Sequence, residues 1–149
     1  MRLEEEIKQK EFKNEYSKGV VNLIYTFNWL DTQTRDFMKK YDITSQQFNI
    51  LRILRGQQPA PSTINLLKDR MLDKMCDASR MVERLKTKLL VERRVCEKDR
   101  RAVAIFITKK GLELLAKIDK DMPDQEKLMK NLNPAEIKQF NILLDKLRG

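Results

Sequence analysis

The chain has no histidine among its 149 residues and only two cysteines, Cys76 and Cys96. Without histidine, the side chain best suited to moving protons near neutral pH is missing. The usual Cys-His and Ser-His nucleophile pairs go with it. Two cysteines without metal-ligand spacing exclude a structural zinc motif and suit a reducing compartment. No glycine-rich phosphate loop is present. These absences argue against an enzyme and against a metal or other cofactor. Glycine and proline number four each, which favours long helices over many turns. No apolar run approaches the roughly 18–20 residues needed to span a bilayer. The opening Met1-Arg2-Leu3-Glu4-Glu5-Glu6 lacks the apolar core of a signal peptide. The expectation is a soluble cytoplasmic chain with no membrane partner.

What is abundant is charge. Charged residues make up 36% of the chain and apolar residues 41%, interleaved in the manner of a folded domain. The net charge is +9, which points to an anionic partner such as nucleic acid or an acidic membrane surface. Residues 68–110 hold fourteen basic side chains against seven acidic ones, so +7 of the +9 sits in this one stretch.

Periodicity divides the chain. Residues 3–40 read as helix, with Ile7, Phe12, Tyr16, Val20, Leu23, Phe27, Leu30 and Phe37 near helical spacing and Gly19 as a point of bending or splitting. Thr44-Ser45-Gln46-Gln47 has the form of a capping box, opening a helix that turns Phe48, Leu51, Ile53 and Leu54 inward. Gly56 to Pro61 breaks it. Ser62 or Thr63 caps a helix over 64–71, Leu72-Asp73-Lys74 makes a turn, and a second helix runs from about Met75 to Lys88, with Ala78, Val82 and Leu85 inward. That is a helix-turn-helix pattern. Strands follow over 91–95 and 102–107, separated by the charged tip Cys96-Glu97-Lys98-Asp99-Arg100-Arg101. Thr108 caps a helix that runs towards Asn131 unless Met122-Pro123 ends or kinks it. Asn133-Pro134-Ala135-Glu136 starts the last one.

The expected fold is therefore mainly α with a small β-hairpin wing. A winged helix-turn-helix, residues 41–108, is the expected DNA-binding domain. Residues 1–40 and 109–149 form a helical dimerisation region. The outer helices carry more apolar surface than so small a central unit can cover, and a leftover stripe is usually an oligomer interface, here a twofold homodimer.

The N-terminal end of the second helix enters the major groove in this motif. Cys76, Asp77, Ser79 and Arg80 fall there, with Arg80 suited to guanine or phosphate. Asp77 either accepts from cytosine or stabilises the positive helix end, and the structural role is favoured. Arg84 follows Glu83 and reads as its ion-pair partner. At the tip, Lys98, Arg100 and Arg101 face DNA, the arginines suited to a narrow minor groove, and Asp99 orients a neighbouring arginine. A competing possibility is a dimeric interaction module whose winged domain binds an acidic protein.

At these residues the sequence resembles the MarR family of bacterial transcription regulators. The matching stretch runs from Thr63 to Gly111: Ile64 to Met71, Ser79 to Leu85, Leu90 to Arg93, Asp99-Arg100-Arg101, and Ile107-Thr108-Lys109-Lys110-Gly111. The resemblance implies a homodimer with interlocked terminal helices, bound to pseudo-palindromic promoter double-stranded DNA. It implies a regulator that is usually a repressor, released by a small aromatic or phenolic effector. By matching position, Ser79 and Arg80 contact DNA, Arg101 reaches the minor groove and Asp99 orients it. Aromatic density together with the resemblance places the effector pocket near Tyr16, Tyr25, Trp29, Phe48 and Arg52. Three positions depart from the family pattern. Leu89 stands where glycine is usual, which allows a different helix end. Leu72 replaces a common turn glycine. Cys76 replaces a small polar residue, which raises redox control as an idea beside simple tolerance of a small side chain.

Overall fold

The computed structural model describes residues 1–95, 103–122 and 125–149. They form two compact units, Met1–Lys117 and Ile118–Gly149.

The first unit opens with a short helix, α1 (Leu3–Glu6), and a long one, α2 (Glu15–Lys39). One continuous helix over 3–40 is thus not what forms. Residues 7–14 interrupt it, and Lys8 takes a left-handed φ of 54°. The restart is set by Asn14, whose Oδ1 accepts from Ser17 N–H at 2.9 Å while Ser17 Oγ accepts from Asn14 N–H at 3.2 Å. This reciprocal cap satisfies two amides that a helix start leaves free. Gly19 does not break α2, which passes through it with open space around the α-carbon.

Helix α3 (Ser45–Gln57) is the centre of the core. Thr44 Oγ1 accepts from Gln47 N–H and Gln47 Oε1 accepts from Thr44 N–H, as the capping box predicts. Phe48, Ile50, Leu51, Ile53 and Leu54 are buried. Against them pack α4 (Ile64–Arg70), α5 (Ala78–Thr87) and the hairpin of β1 (Val91–Val95) and β2 (Val103–Ile107). Thr63 provides the α4 cap. Ser62, the other candidate, is buried and exchanges two backbone hydrogen bonds with Ile105, adding a short third strand segment to β2. The antiparallel register pairs Val91 with Ile107 and Arg93 with Ile105. Alternation then turns Val91, Ile105 and Ile107 to the core and Phe106 to the other face.

Helix α6 (Lys109–Asp121) begins on the end of α5. Leu89 takes φ 62°, in the left-handed region. Its N–H donates to Lys86 C=O at 2.9 Å, and Leu90 N–H donates to Leu85 C=O at 3.0 Å. This is the Schellman arrangement, completed by two buried leucines, Leu85 and Leu90. The helix therefore ends as a glycine at position 89 would end it, and leucine accepts the strain. Three carbonyls left at this end are met by the start of α6. Lys110 Nζ donates to Lys88 C=O at 3.0 Å, Thr108 Oγ1 to Leu89 C=O at 2.8 Å, and Thr108 N–H to Leu90 C=O at 3.1 Å. Thr108 Oγ1 also caps α6 by accepting from Gly111 N–H at 3.1 Å. Gly111 permits this approach, since a Cβ there would lie 2.4 Å from Leu90 O and 2.7 Å from Ile107 Cγ1.

Helix α6 ends at Asp121, short of Asn131. Pro123 lies outside the described residues. The second unit adds α7 (Gln125–Leu128) and α8 (Pro134–Arg148). Asn133 Oδ1 accepts from Ala135 and Glu136 N–H, and Glu136 closes the box on Asn133 N–H at 2.8 Å. No residue of α8 is buried, and Ile142, Leu143 and Leu147 are exposed. Among the described residues no helix is long and apolar enough to cross a membrane.

Two substitutions test the α5–α6 junction. Leu89→Gly should stabilise the fold by about 1 kcal/mol, because the left-handed strain is relieved and the side chain is 67% exposed. Gly111→Ala should destabilise it by about 1–3 kcal/mol, because backbone must shift to admit the methyl. Urea unfolding at one protein concentration reads both.

Candidate nucleic-acid interface

The second helix of the helix-turn-helix starts at Ala78, three residues later than its periodicity suggests. Two acidic side chains cause this. Asp73 Oδ1 accepts from Met75 N–H at 3.0 Å and Asp77 Oδ1 accepts from Arg80 N–H at 3.1 Å. The first captures an amide outside the helix and the second caps it. Asp77 is therefore the N-cap, and Cys76 lies in the turn before it. Ala78, Val82 and Leu85 are fully buried, so Ser79 and Arg80 face solvent on the opposite side.

Glu83 does not pair with Arg84. It reaches across to Arg93 of β1 and ties the exposed side of α5 to the hairpin. Arg93 occupies an inward register position, which brings its guanidinium to α5. On the other face, the Arg94 guanidinium lies 4.8 Å from the Phe106 ring centroid and pairs with Glu92. The tip residues Cys96, Lys98, Asp99, Arg100 and Arg101 lie outside the described residues.

The five residues named for an effector pocket are placed as follows. Tyr16 is exposed at the start of α2. Tyr25 lies nine residues on, about 14 Å along the helix axis, and its hydroxyl donates to Glu6 Oε2 at 2.8 Å. That hydrogen bond raises the phenol pKa, because Glu6 holds its proton. Trp29 is partly exposed, and Phe48 is in the core. Arg52 stacks over the Phe48 ring at 5.7 Å. Phe48 and Arg52 thus meet.

Two open clefts occur elsewhere. One, of about 430 Å³, is lined by Lys39, Thr44, Gln47, Arg84 and Lys88 among others. The second, of about 440 Å³, is lined by Tyr41, Leu90, Lys110, Glu113 and Lys117 among others. Asp42 and Lys88 line both and form an ion pair at 2.6 Å. None of the five aromatic-pocket residues lines either cleft. Sequence reasoning missed this pair because 46 residues separate its partners. Asp42 does take a left-handed φ of 54°, and aspartate is among the residues that tolerate it.

Burial pushes the Cys76 thiol pKa up, and the negative charges of Asp73 and Asp77 add to the effect. The thiolate is the reactive form, so this environment suppresses reactivity. In the wild-type chain at pH 7.5, Cys76 should alkylate with iodoacetamide more slowly than it does in urea, as read by peptide mass mapping. Equal or faster reaction in the folded protein would contradict this assignment.

No protein-family model and no curated protein matches the chain. Among solved structures, apo wild-type MarR from E. coli is 27% identical, with 85% of this chain and 94% of that chain covered and a TM-score of 0.64. A cysteine-to-serine variant of E. coli MarR, solved in complex with operator DNA, is 27% identical, covering 93% and 99%, with a TM-score of 0.72. The S. aureus MepR–DNA complex has the same fold at 22% identity, covering 91% and 96%, with a TM-score of 0.68. By element order and by these likenesses the chain has the winged helix-turn-helix fold of the MarR transcription factors and is similar to E. coli MarR over most of both chains.

Proposed function

We propose that the chain is a homodimeric, sequence-specific DNA-binding regulator whose two winged helix-turn-helix domains, residues 41–108, read one pseudo-palindromic promoter site. The observation that carries this is α5: its apolar face is fully buried while Ser79 and Arg80 stand exposed just after the Asp77 cap. The N-terminal end of such a helix contacts base edges. The surrounding stretch holds most of the net positive charge, which supplies the phosphate attraction. The DNA-bound relatives support the same use of the fold. Ser79 and Arg80 are the proposed base and phosphate contacts, with Cys76 and Asp77 beside them. Lys98, Arg100 and Arg101 serve at the wing tip, where Asp99 orients an arginine.

Dimerisation is supported by α2. Tyr16, Val20, Leu23, Ile24 and Phe27 recur at three- and four-residue spacing and are all exposed in the single chain. Such a stripe fits a second copy related by a twofold axis. The terminal segments 1–40 and 109–149 are the proposed dimerisation region. A repressor role and release by a small aromatic ligand near Tyr16, Tyr25, Trp29, Phe48 and Arg52 follow from the family resemblance. The Arg52–Phe48 stack offers one cation and one ring there.

The 149-residue chain should shift one promoter fragment selectively, with affinity falling steeply as salt rises. Arg80→Ala with Arg101→Ala should abolish the shift and leave the dimer intact by sedimentation, each arginine contributing about 1–3 kcal/mol if it reaches a base. An unchanged shift would favour an acidic protein partner instead.

A further inference from the structure

The turn between α4 and α5 holds two large apolar side chains in water. Met75 is 94% exposed and Leu72 is 88% exposed. Burial elsewhere in this turn is efficient, since Met71 is 2% exposed. The backbone that carries them is pinned. Leu72 N–H donates to Asn49 Oδ1 at 3.0 Å, and Met75 N–H donates to Asp73 Oδ1 at 3.0 Å. The Asp73 carboxylate also accepts from Gln46 Nε2 at 3.4 Å, Cys76 N–H donates to Asp73 C=O at 3.3 Å, and Lys74 Nζ reaches Asp69 C=O at 2.6 Å. Two ties run to α3 and the others close the turn on itself. The exposed side chains project from a preorganised loop.

Met75 lies three residues before the first residue of α5, beside the end that enters the groove. We propose that Met75, with Leu72 of the same turn as a second apolar contact, reads thymine through its 5-methyl group. This deepens the DNA-binding proposal above and rests on it. Three features favour this occupant over an apolar protein surface. The turn itself is neutral, three basic against three acidic side chains over residues 68–77, but it leads directly into residues 78–110, which carry the +7 excess that draws in a polyanion. Arg80 and Ser79 follow within one helical turn and would bring base edges close. The major groove offers one apolar group that marks a base, the thymine methyl. A flexible thioether suits a contact of variable geometry. The turn would thus add a preference for thymine beside whatever Arg80 specifies.

The test uses the 149-residue chain and a duplex enriched by that protein from a random pool. Thymines in the duplex are replaced singly by deoxyuridine, which removes the methyl and keeps the hydrogen bonds. Wild type should bind at least one such duplex roughly fourfold more weakly, the worth of burying one methyl group. Met75→Ala should bind the thymine duplex that weakly already and lose nothing further with deoxyuridine. Met75→Leu should keep the discrimination. Full discrimination by Met75→Ala and by Leu72→Ala, or none by wild type, would overturn the thymine assignment while leaving DNA binding in place. Failure to enrich any duplex would overturn the DNA-binding proposal itself, and this one with it. Circular dichroism of the variants confirms that they fold.

Discussion

Three backbone carbonyls at the end of α5, those of Lys88, Leu89 and Leu90, govern the geometry of the winged unit. The last carbonyls of a helix have no partner within the helix itself. Here the start of α6 satisfies all three, through Lys110, the Thr108 hydroxyl and the Thr108 amide. The approach is so close that position 111 has no room for a side chain. Where α6 begins therefore decides where α5 ends. The Glu83–Arg93 pair then links the middle of α5 to the hairpin. Helix α5 and the described part of the hairpin are held in one relative orientation, as the proposed readout of DNA would require.

The head of α5 follows the same logic with opposite charge. Asp73 and Asp77 lie in a strongly basic stretch, yet both accept backbone amides. Their task is to end the turn and begin the helix. They leave Arg80 outside and raise the Cys76 thiol pKa. Acidic residues here shape the surface that the basic residues present. Asp73 also holds the turn that exposes Met75.

Helix α2 poses a different problem. Within its own unit it buries only Met38, while a stripe of five large apolar side chains faces water. Full burial of each would contribute roughly 1.5–3 kcal/mol. This unburied stripe is the observation on which the proposed dimer rests.

Much of this was legible in the sequence because it is local. Thr44, Thr63, Thr108 and Asn133 cap helices within three residues of themselves, so spacing pointed to Thr44, Thr108 and Asn133 and narrowed the α4 cap to Ser62 or Thr63. The inward faces of α3 and α5 and both strands followed from periodicity, which reports a single buried side. The start of α2 was missed because apolar spacing runs on through residues 7–14, and its cap pairs Asn14 with serine in place of the usual Glu or Gln. The early start assigned to α5 failed because Asp73, outside the helix, competes for an amide. The partners of Glu83 and Asp42 were invisible, since each lies on another element. Sequence by itself determined most of the helices, both strands and where the charge gathers, because those depend on neighbours in the chain. Only the tertiary structure decided how α5 ends and what holds it. Leu89 adopts a glycine's conformation because Leu85, Leu90 and the start of α6 together outweigh its local strain.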